Sequence, residues 1–272
     1  MRWLLLADIH ANLEALEAVL DHGSSWPDAG VIVAGDIVGY GPDPERCIEV
    51  LAARNANCIA GNHEGLILGR IDPWRCNFAG DRAARWTREI LTPAATSWLA
   101  ALPARRLVGR TMLVCHGDLD DCEHYVDRPE RGRRVLNDLR ARGYPATRVV
   151  CGHTHRAVCF HEGGSWDLPP TDVELRLETC KRYLINPGSV GQSRFEAPAA
   201  RYARYDEEAG TLTFHVLSYD HQAVCKKLRR HGLVAQVSMP AASLFGRQVE
   251  RVQSRWWAWR RKRDAARKHL DP

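Results

Sequence analysis

Along the first part of the chain, compact apolar runs alternate with stretches in which apolar residues recur every three or four positions. Trp3–Ala7 and Val31–Ala34 have the length of buried strands, and between them Leu13, Leu16 and Leu20 mark one face of a helix. This is the rhythm of βαβ units. Asp43 followed by Pro44 predicts an N-cap and first helical residue for a helix carrying Ile48 and Leu51, and Cys58–Ala60 predicts the next strand. Helices are expected over Asp81–Leu91 and Pro93–Ala101, then a strand at Met112–Cys115 and a helix at Pro129–Ala141. Beyond that point the pattern turns to β, with runs at Arg148–Cys151, Val158–His161, Val173–Glu178, Tyr183–Ile185, Arg201–Tyr205 and Thr211–Leu217. Helical spacing returns over 219–231 and 247–269. With no internal repeat and no long linker, the expectation is one domain over residues 1–246 with a helical extension over 247–272.

Five of the apolar runs end alike: LLLA before Asp8, VIVAG before Asp36, CIAG before Asn62, MLVC before His116 and VVCG before His153. Each delivers a metal-ligand residue type at the carboxyl end of a strand, where open α/β sheets bind their ligands. Asp8 with His10 and His153 with His155 are i, i+2 pairs, which share one face of an extended backbone about 7 Å apart. Alone, each has a plain structural reading: Asp8 a turn residue, Asn62 a left-handed turn former after Gly61, any one histidine a satisfied core side chain. Their coincidence at strand ends argues for one site. Carboxylate, imidazole and amide ligands together suit Mn, Fe, Zn or Ni, whereas a cysteine-rich set points to structural zinc.

These residues resemble the calcineurin-like metallophosphoesterases. The motifs stand here as Asp8-Ile9-His10, Gly35-Asp36, Gly61-Asn62-His63-Glu64, strand-terminal His116 and Gly152-His153-Thr154-His155. The likeness extends over about residues 1–246 and includes the Tyr40-Gly41-Pro42-Asp43-Pro44 loop and the Asn186-Pro187-Gly188-Ser189-Val190 turn, familiar from small prokaryotic members. It implies an α/β fold, a four-layer αββα sandwich of two mixed sheets. It also implies two divalent or trivalent transition-metal ions, one held by Asp8, His10 and His155, the other by Asn62, His116 and His153, with Asp36 bridging them. Two cations ~3.5–4 Å apart supply hydroxide near neutral pH and clamp the phosphoryl oxygens. His63 is then free to act as general acid, with Glu64 behind it as an orienting group.

The sequence departs from the serine/threonine phosphatases and diadenosine tetraphosphatases of this superfamily, which usually continue the second motif toward an Asp-Arg-Gly type segment whose arginine helps anchor phosphate. Here Asp36 is followed by Ile37-Val38-Gly39-Tyr40-Gly41, which disfavours those two activities and favours the branch with phosphodiester or undetermined substrates. Ala7 and Ala11 also replace the Ser and Gly common beside the first motif. Tyr40 is a candidate for stacking on a base or lining the cleft, and Arg194 for meeting a phosphate oxygen; packing and a solvated surface position are the plain alternatives. The acidic segment from Asp118 to His124 reads as a rim beside His116.

Composition changes this picture little. No apolar run approaches the ~20 residues of a membrane span, and the opening segment is too short for a signal peptide, so a cytoplasmic protein is expected. The nine cysteines indicate no disulfide framework; Cys58, Cys115 and Cys151 sit in apolar runs and read as small hydrophobes, and Cys151 with Cys159 lacks the spacing of a metal-binding knuckle. The net charge of +5 is concentrated in residues 247–272, where nine Lys/Arg face three Asp/Glu. Val249, Val252, Trp256 and Trp259 lie there at helical spacing among arginines, the pattern of a basic amphipathic helix. Such a helix docks on the domain or a second subunit, or anchors to nucleic acid or an anionic membrane surface. Two other functional classes fit the same motifs: an inactive binding or scaffold protein, which would show erosion of His63 or Asp36, and a nucleic-acid-processing phosphodiesterase using the basic tail.

Overall fold

A strand whose residues are all apolar needs cover on both faces, and that requirement organises the structure. The computed structural model describes residues 1–72, 76, 78–194 and 197–233. In chain order the elements are β1 (Arg2–Leu6), α1 (Leu13–Gly23), β2 (Gly30–Val33), α2 (Pro44–Ala53), β3 (Asn57–Cys58), α3 (Asn62–Ile67), α4 (Phe78–Ile90), α5 (Pro93–Ala100), β4 (Arg105–Val108), β5 (Met112–Cys115) and α6 (Pro129–Ala141). They continue with β6 (Arg148–Val150), β7 (Val158–His161), β8 (Gly164–Asp167), β9 (Val173–Arg176), β10 (Tyr183–Asn186), β11 (Ala200–Asp206), β12 (Thr211–Leu217) and α7 (His221–Arg230).

The strands form two six-stranded mixed sheets, ordered β3-β2-β1-β11-β12-β9 and β4-β5-β6-β10-β7-β8. Side-chain alternation sorts each central strand into two cores. Leu5, Ile32, Met112, Val114, Val150, Tyr183 and Ile185 point into a layer shared by the two sheets. Their neighbours Leu4, Leu6, Val31 and Val33 face the other way, onto Leu16, Val19 and Leu20 of α1 and Ile48 and Leu51 of α2. Leu113, Val149 and Leu184 do the same on the second sheet, against Val135, Leu136 and Leu139 of α6. The result is the expected αββα sandwich.

Strands β1, β2 and β3 run parallel, as do β5, β6 and β10, so in each sheet neighbouring strands release their loops at the same end. The elements that the apolar pattern does not reveal are β4, β8 and α3. β4 and β8 are the two edges of the second sheet, and β4 is Arg-Arg-Leu-Val with only Val108 buried. Charged edges discourage further pairing and erase the apolar signature. Asp43 does sit at the N-cap of α2, but its side chain makes no cap bond; it accepts from Lys227 Nζ at 2.8 Å and ties α2 to α7. The boundary at 246 and the basic helix expected over 247–269 lie outside the described residues. Among those described, no helix is long and apolar enough to cross a membrane.

Leu5 and Leu6 are both fully buried, on opposite faces of β1. Leu5→Ala and Leu6→Ala are each expected to cost about 2–5 kcal/mol in denaturant unfolding. A sheet with one solvated face would be insensitive at one of the two positions.

Candidate metal centre

The site lies where the carboxyl ends of the two sheets meet. The first sheet supplies Asp8 and His10 after β1, Asp36 after β2, and Asn62 and His63 at the start of α3. The second supplies His116 after β5 and His153 and His155 after β6. Asp8, His10, Asp36 and His155 each bring one ligand atom within 4.8 Å of the others, and Asp36, His116 and His153 form a second such group. Asp36 belongs to both. Asn62 joins the second, its Oδ1 lying 3.0 Å from His116 Nε2.

Each of four imidazoles has one ring nitrogen tied to a backbone carbonyl. The Nδ1–H groups of His10, His116 and His155 donate to Val38, Ala34 and Gln192, at 3.3, 2.7 and 2.8 Å, and His153 Nε2–H donates to Glu123 at 3.1 Å. A carbonyl only accepts, so the opposite nitrogen is the one turned to the site. This is how metal-binding histidines are held in tautomer and orientation. His63 has no such tether: its Nδ1 is buried without a partner. Gly39, at φ +90°, makes room for that ring, since a Cβ there would lie 2.3 Å from His63 Nδ1.

The arrangement fits cations. His10 Nε2 and His155 Nε2 face each other at 3.1 Å, and burial holds both rings' pKa well below the usual histidine range, so two lone pairs oppose one another. Asp8 Oδ2 is buried with no hydrogen-bond partner. Burial also raises the Asp8 pKa, with Asp36 adding to it. Burial pushes Asp36 the same way, but the charge of His116 and the hydrogen bond from it, with the neighbouring His63 and His10 rings adding to the pull, keep the carboxyl well below the usual range. His116 lies 3.2 Å from Asp36 Oδ2; burial disfavours its charge, yet Asp36 and Asp8 prevail and push its pKa up to about 10. Its Nε2 proton thus sits between Asp36 and Asn62, in the place of a cation.

The i, i+2 pairs do not converge as an extended backbone would bring them. Asp8, His10, Asp36, His153 and His155 all have positive φ, between 50° and 68°. For non-glycine residues this costs about 1–3 kcal/mol each and persists only where the surroundings impose it. Left-handed kinks let Asp8 and His10 share one group while His153 and His155 go to different ones. The surroundings are explicit. His10 N–H donates to Asp36 O, His153 N–H to Asp8 Oδ1, and Ser189 Oγ and Gly191 N–H both to Asp8 O. Asn186 Nδ2 grips Gly152 O at 2.7 Å and Thr154 Oγ1 at 3.0 Å. The Asn186–Val190 turn therefore pins both i, i+2 motifs.

Glu64 does not reach His63, contrary to expectation. Its buried carboxylate accepts four backbone N–H groups, from Gly61 at 2.6 Å, Asp36 at 3.0 Å, Ile37 at 2.8 Å and Val38 at 3.1 Å. It clamps the loop presenting Asp36 onto the turn presenting Asn62 and His63. Bonds to a charged acceptor contribute about 1.5–3 kcal/mol each, the scale needed to hold strained Asp36. His63 is positioned instead by its own N–H, which donates to Asp36 Oδ1 at 2.9 Å. Burial lowers the His63 pKa against the pull of Asp36.

Tyr40 is half-buried, its ring centroid 4.5 Å from His63 and 4.9 Å from His10. Arg194 is exposed, and its charge acts on Asp8, Tyr40, His63, His153 and His155. Among the residues missed by the sequence reading is Tyr125, whose ring lies against that of His153 with centroids 4.2 Å apart. No periodicity marks it; its place in the segment after His116 was the available signal. Cys58, Cys115, Cys151 and Cys159 are buried free thiols, as expected.

Residues 1–210 match the calcineurin-like phosphoesterase superfamily domain, and the chain belongs to that family. It is similar to the metallophosphoesterase from Sphaerobacter thermophilus, at 30% identity and TM-score 0.74, covering 87% of this chain and 97% of that one. It is also 30% identical over 236 residues to an uncharacterized protein of Methanocaldococcus jannaschii, across 84% of this chain and 92% of that protein. A hypothetical protein from Pyrococcus horikoshii OT3 shares the fold at 18% identity and TM-score 0.68, covering 87% of this chain and 95% of that one.

Glu64→Gln replaces an acceptor-only carboxylate by an amide that turns an NH2 toward backbone N–H groups. Groups that support ligands typically contribute 10–100-fold, so metal affinity measured by calorimetry is expected to fall by about that factor. Unchanged affinity would show that the clamp does not hold the ligands.

Proposed function

We propose that the chain hydrolyses a phosphodiester with the help of two transition-metal ions, of Mn, Fe, Zn or Ni. The observation that carries this reading is the pair of ligand groups sharing Asp36, each built from imidazoles with a fixed tautomer. Asp8, His10 and His155 hold one ion, Asn62, His116 and His153 the other, and Asp36 both. When bound, the ions supply a water of lowered pKa and neutralise charge on the phosphoryl oxygens.

The chain's own groups do the rest. His63, untethered and beside Asp36, gives a proton to the departing oxygen as its bond to phosphorus breaks. The attacking water forms the new P–O bond and loses a proton to solvent, so a diester and water yield a monoester and an alcohol. Tyr40 lines the His63 side of the cleft and Arg194 meets a phosphoryl oxygen. The phosphodiester preference is supported by the absence of an arginine from the Ile37-Val38-Gly39-Tyr40-Gly41 segment that follows Asp36. Both residues whose loss would mark a scaffold protein, Asp36 and His63, are present and buried in the site.

Elemental analysis of the purified protein is expected to find two ions per chain, with Asp36→Ala losing both. Two fully occupied ions in that variant would refute the bridging role. His63→Ala is expected to keep its metal and fold while turnover falls about 10²–10⁴-fold, less with a good leaving group such as p-nitrophenolate. Loss of metal from this variant would instead make His63 a ligand.

A further inference from the structure

Tyr125 is 39% exposed, one of four exposed large apolar side chains among the described residues. The others are Met1 at the chain start, Ile90 ending α4 and Leu107 on edge strand β4. Tyr125 alone lies in the site, its ring 4.2 Å from that of His153 and tilted 30° to it. Its position is fixed from both sides. His153 Nε2–H donates to Glu123 O, Arg131 Nη1 donates to Tyr125 O at 2.9 Å, and Val126 is buried. Further back, Asp118 Oδ1 accepts the N–H groups of Asp120 and Asp121, while Arg105 and Arg142 hold the Asp120 carboxylate. An exposed aromatic ring on so restrained a loop loses little conformational freedom on binding.

The two tyrosines divide the site. Tyr40 packs against His10 and His63, Tyr125 against His153, and Asp36 lies between, in both ligand groups. Because His63 protonates the departing oxygen, the leaving arm of a diester lies on the Tyr40 side. The other substituent on phosphorus then extends toward His153.

We propose that Tyr125 is a specificity-determining residue that stacks on a planar aromatic group, an aryl or nucleobase ring, carried by the retained arm of the phosphodiester. This rests on the phosphodiesterase reading above. A flat tyrosine face is tolerant of which ring it meets, so the proposal specifies aromaticity and not a particular base. An alkyl group on the same arm gains far less from it.

The test compares two diesters with the same leaving group, bis(p-nitrophenyl) phosphate and methyl p-nitrophenyl phosphate, on metal-loaded protein. Tyr125→Leu, which keeps apolar bulk over His153, is expected to lower the aryl-to-methyl ratio of kcat/KM about tenfold, chiefly through KM, as loss of a stacking platform does. Tyr125→Phe keeps the platform and is expected to hold that ratio within about twofold. If Tyr125→Leu slows both substrates equally, the ring only supports His153 and the proposal falls. An unaltered ratio with both substrates turned over overturns this proposal and leaves the phosphodiesterase reading standing. No turnover of either diester by the metal-loaded wild type overturns both.

Discussion

A single buried carboxylate, Asp36, sets the terms for the rest of the site. Its Oδ1 is taken by the His63 N–H, and its Oδ2 faces His116 Nε2 at 3.2 Å and His10 Nε2 at 3.7 Å. An anion withdrawn from water costs several kcal/mol unless positive charge comes with it. A proton on His116 meets part of that demand. Charge at this point explains why histidines from both sheets converge there.

Convergence has a conformational cost, because five of the converging positions, Asp8, His10, Asp36, His153 and His155, are held in left-handed backbone. The compensation is distributed among residues with no ligand role. Glu64 joins two loops of the first sheet through four N–H groups, and the Asn186–Val190 turn stitches the β1 loop of that sheet to the β6 loop of the second. The inter-sheet core beneath, from Leu5 to Phe214, keeps the two sets of strand ends in register. Layer packing thus sets where the loops start, and buried hydrogen bonds set where their side chains finish.

Histidine illustrates how role follows surroundings. Four imidazoles in the site are tethered to carbonyls and turn the other nitrogen inward, whereas His63 is untethered. His215, also buried, donates Nδ1–H to Asp172 and stacks on Tyr202 at the far side of the first sheet. All three settings hold the same residue type. What differs between them is what each ring nitrogen meets: a backbone carbonyl for the four, a carboxylate for His215, and no partner for His63 Nδ1.

The apolar runs and the residues that end them made much of this readable in one dimension. Strands buried on both faces leave unbroken apolar signatures, so β1, β2, β5, β6 and β10 were visible, and with them Asp8, Asp36, His116 and His153 at their ends. Edge strands β4 and β8 were not, because an edge needs cover on fewer sides and tolerates charge. The i, i+2 spacing suggested neighbours on an extended chain, but local spacing carries no dihedral angles, and only the folded loops reveal the left-handed kinks that send His153 and His155 to different groups. The resemblance put Glu64 behind His63; its partners come from a segment 26–28 residues earlier as well as from Gly61. Tyr125 carries no periodic signal at all. The sequence determined which side chains would be delivered to strand ends, since burial dictates that pattern locally. Tertiary structure alone decided which ring nitrogens face inward and which aromatic stands at the mouth, since those depend on contacts between loops far apart in the chain.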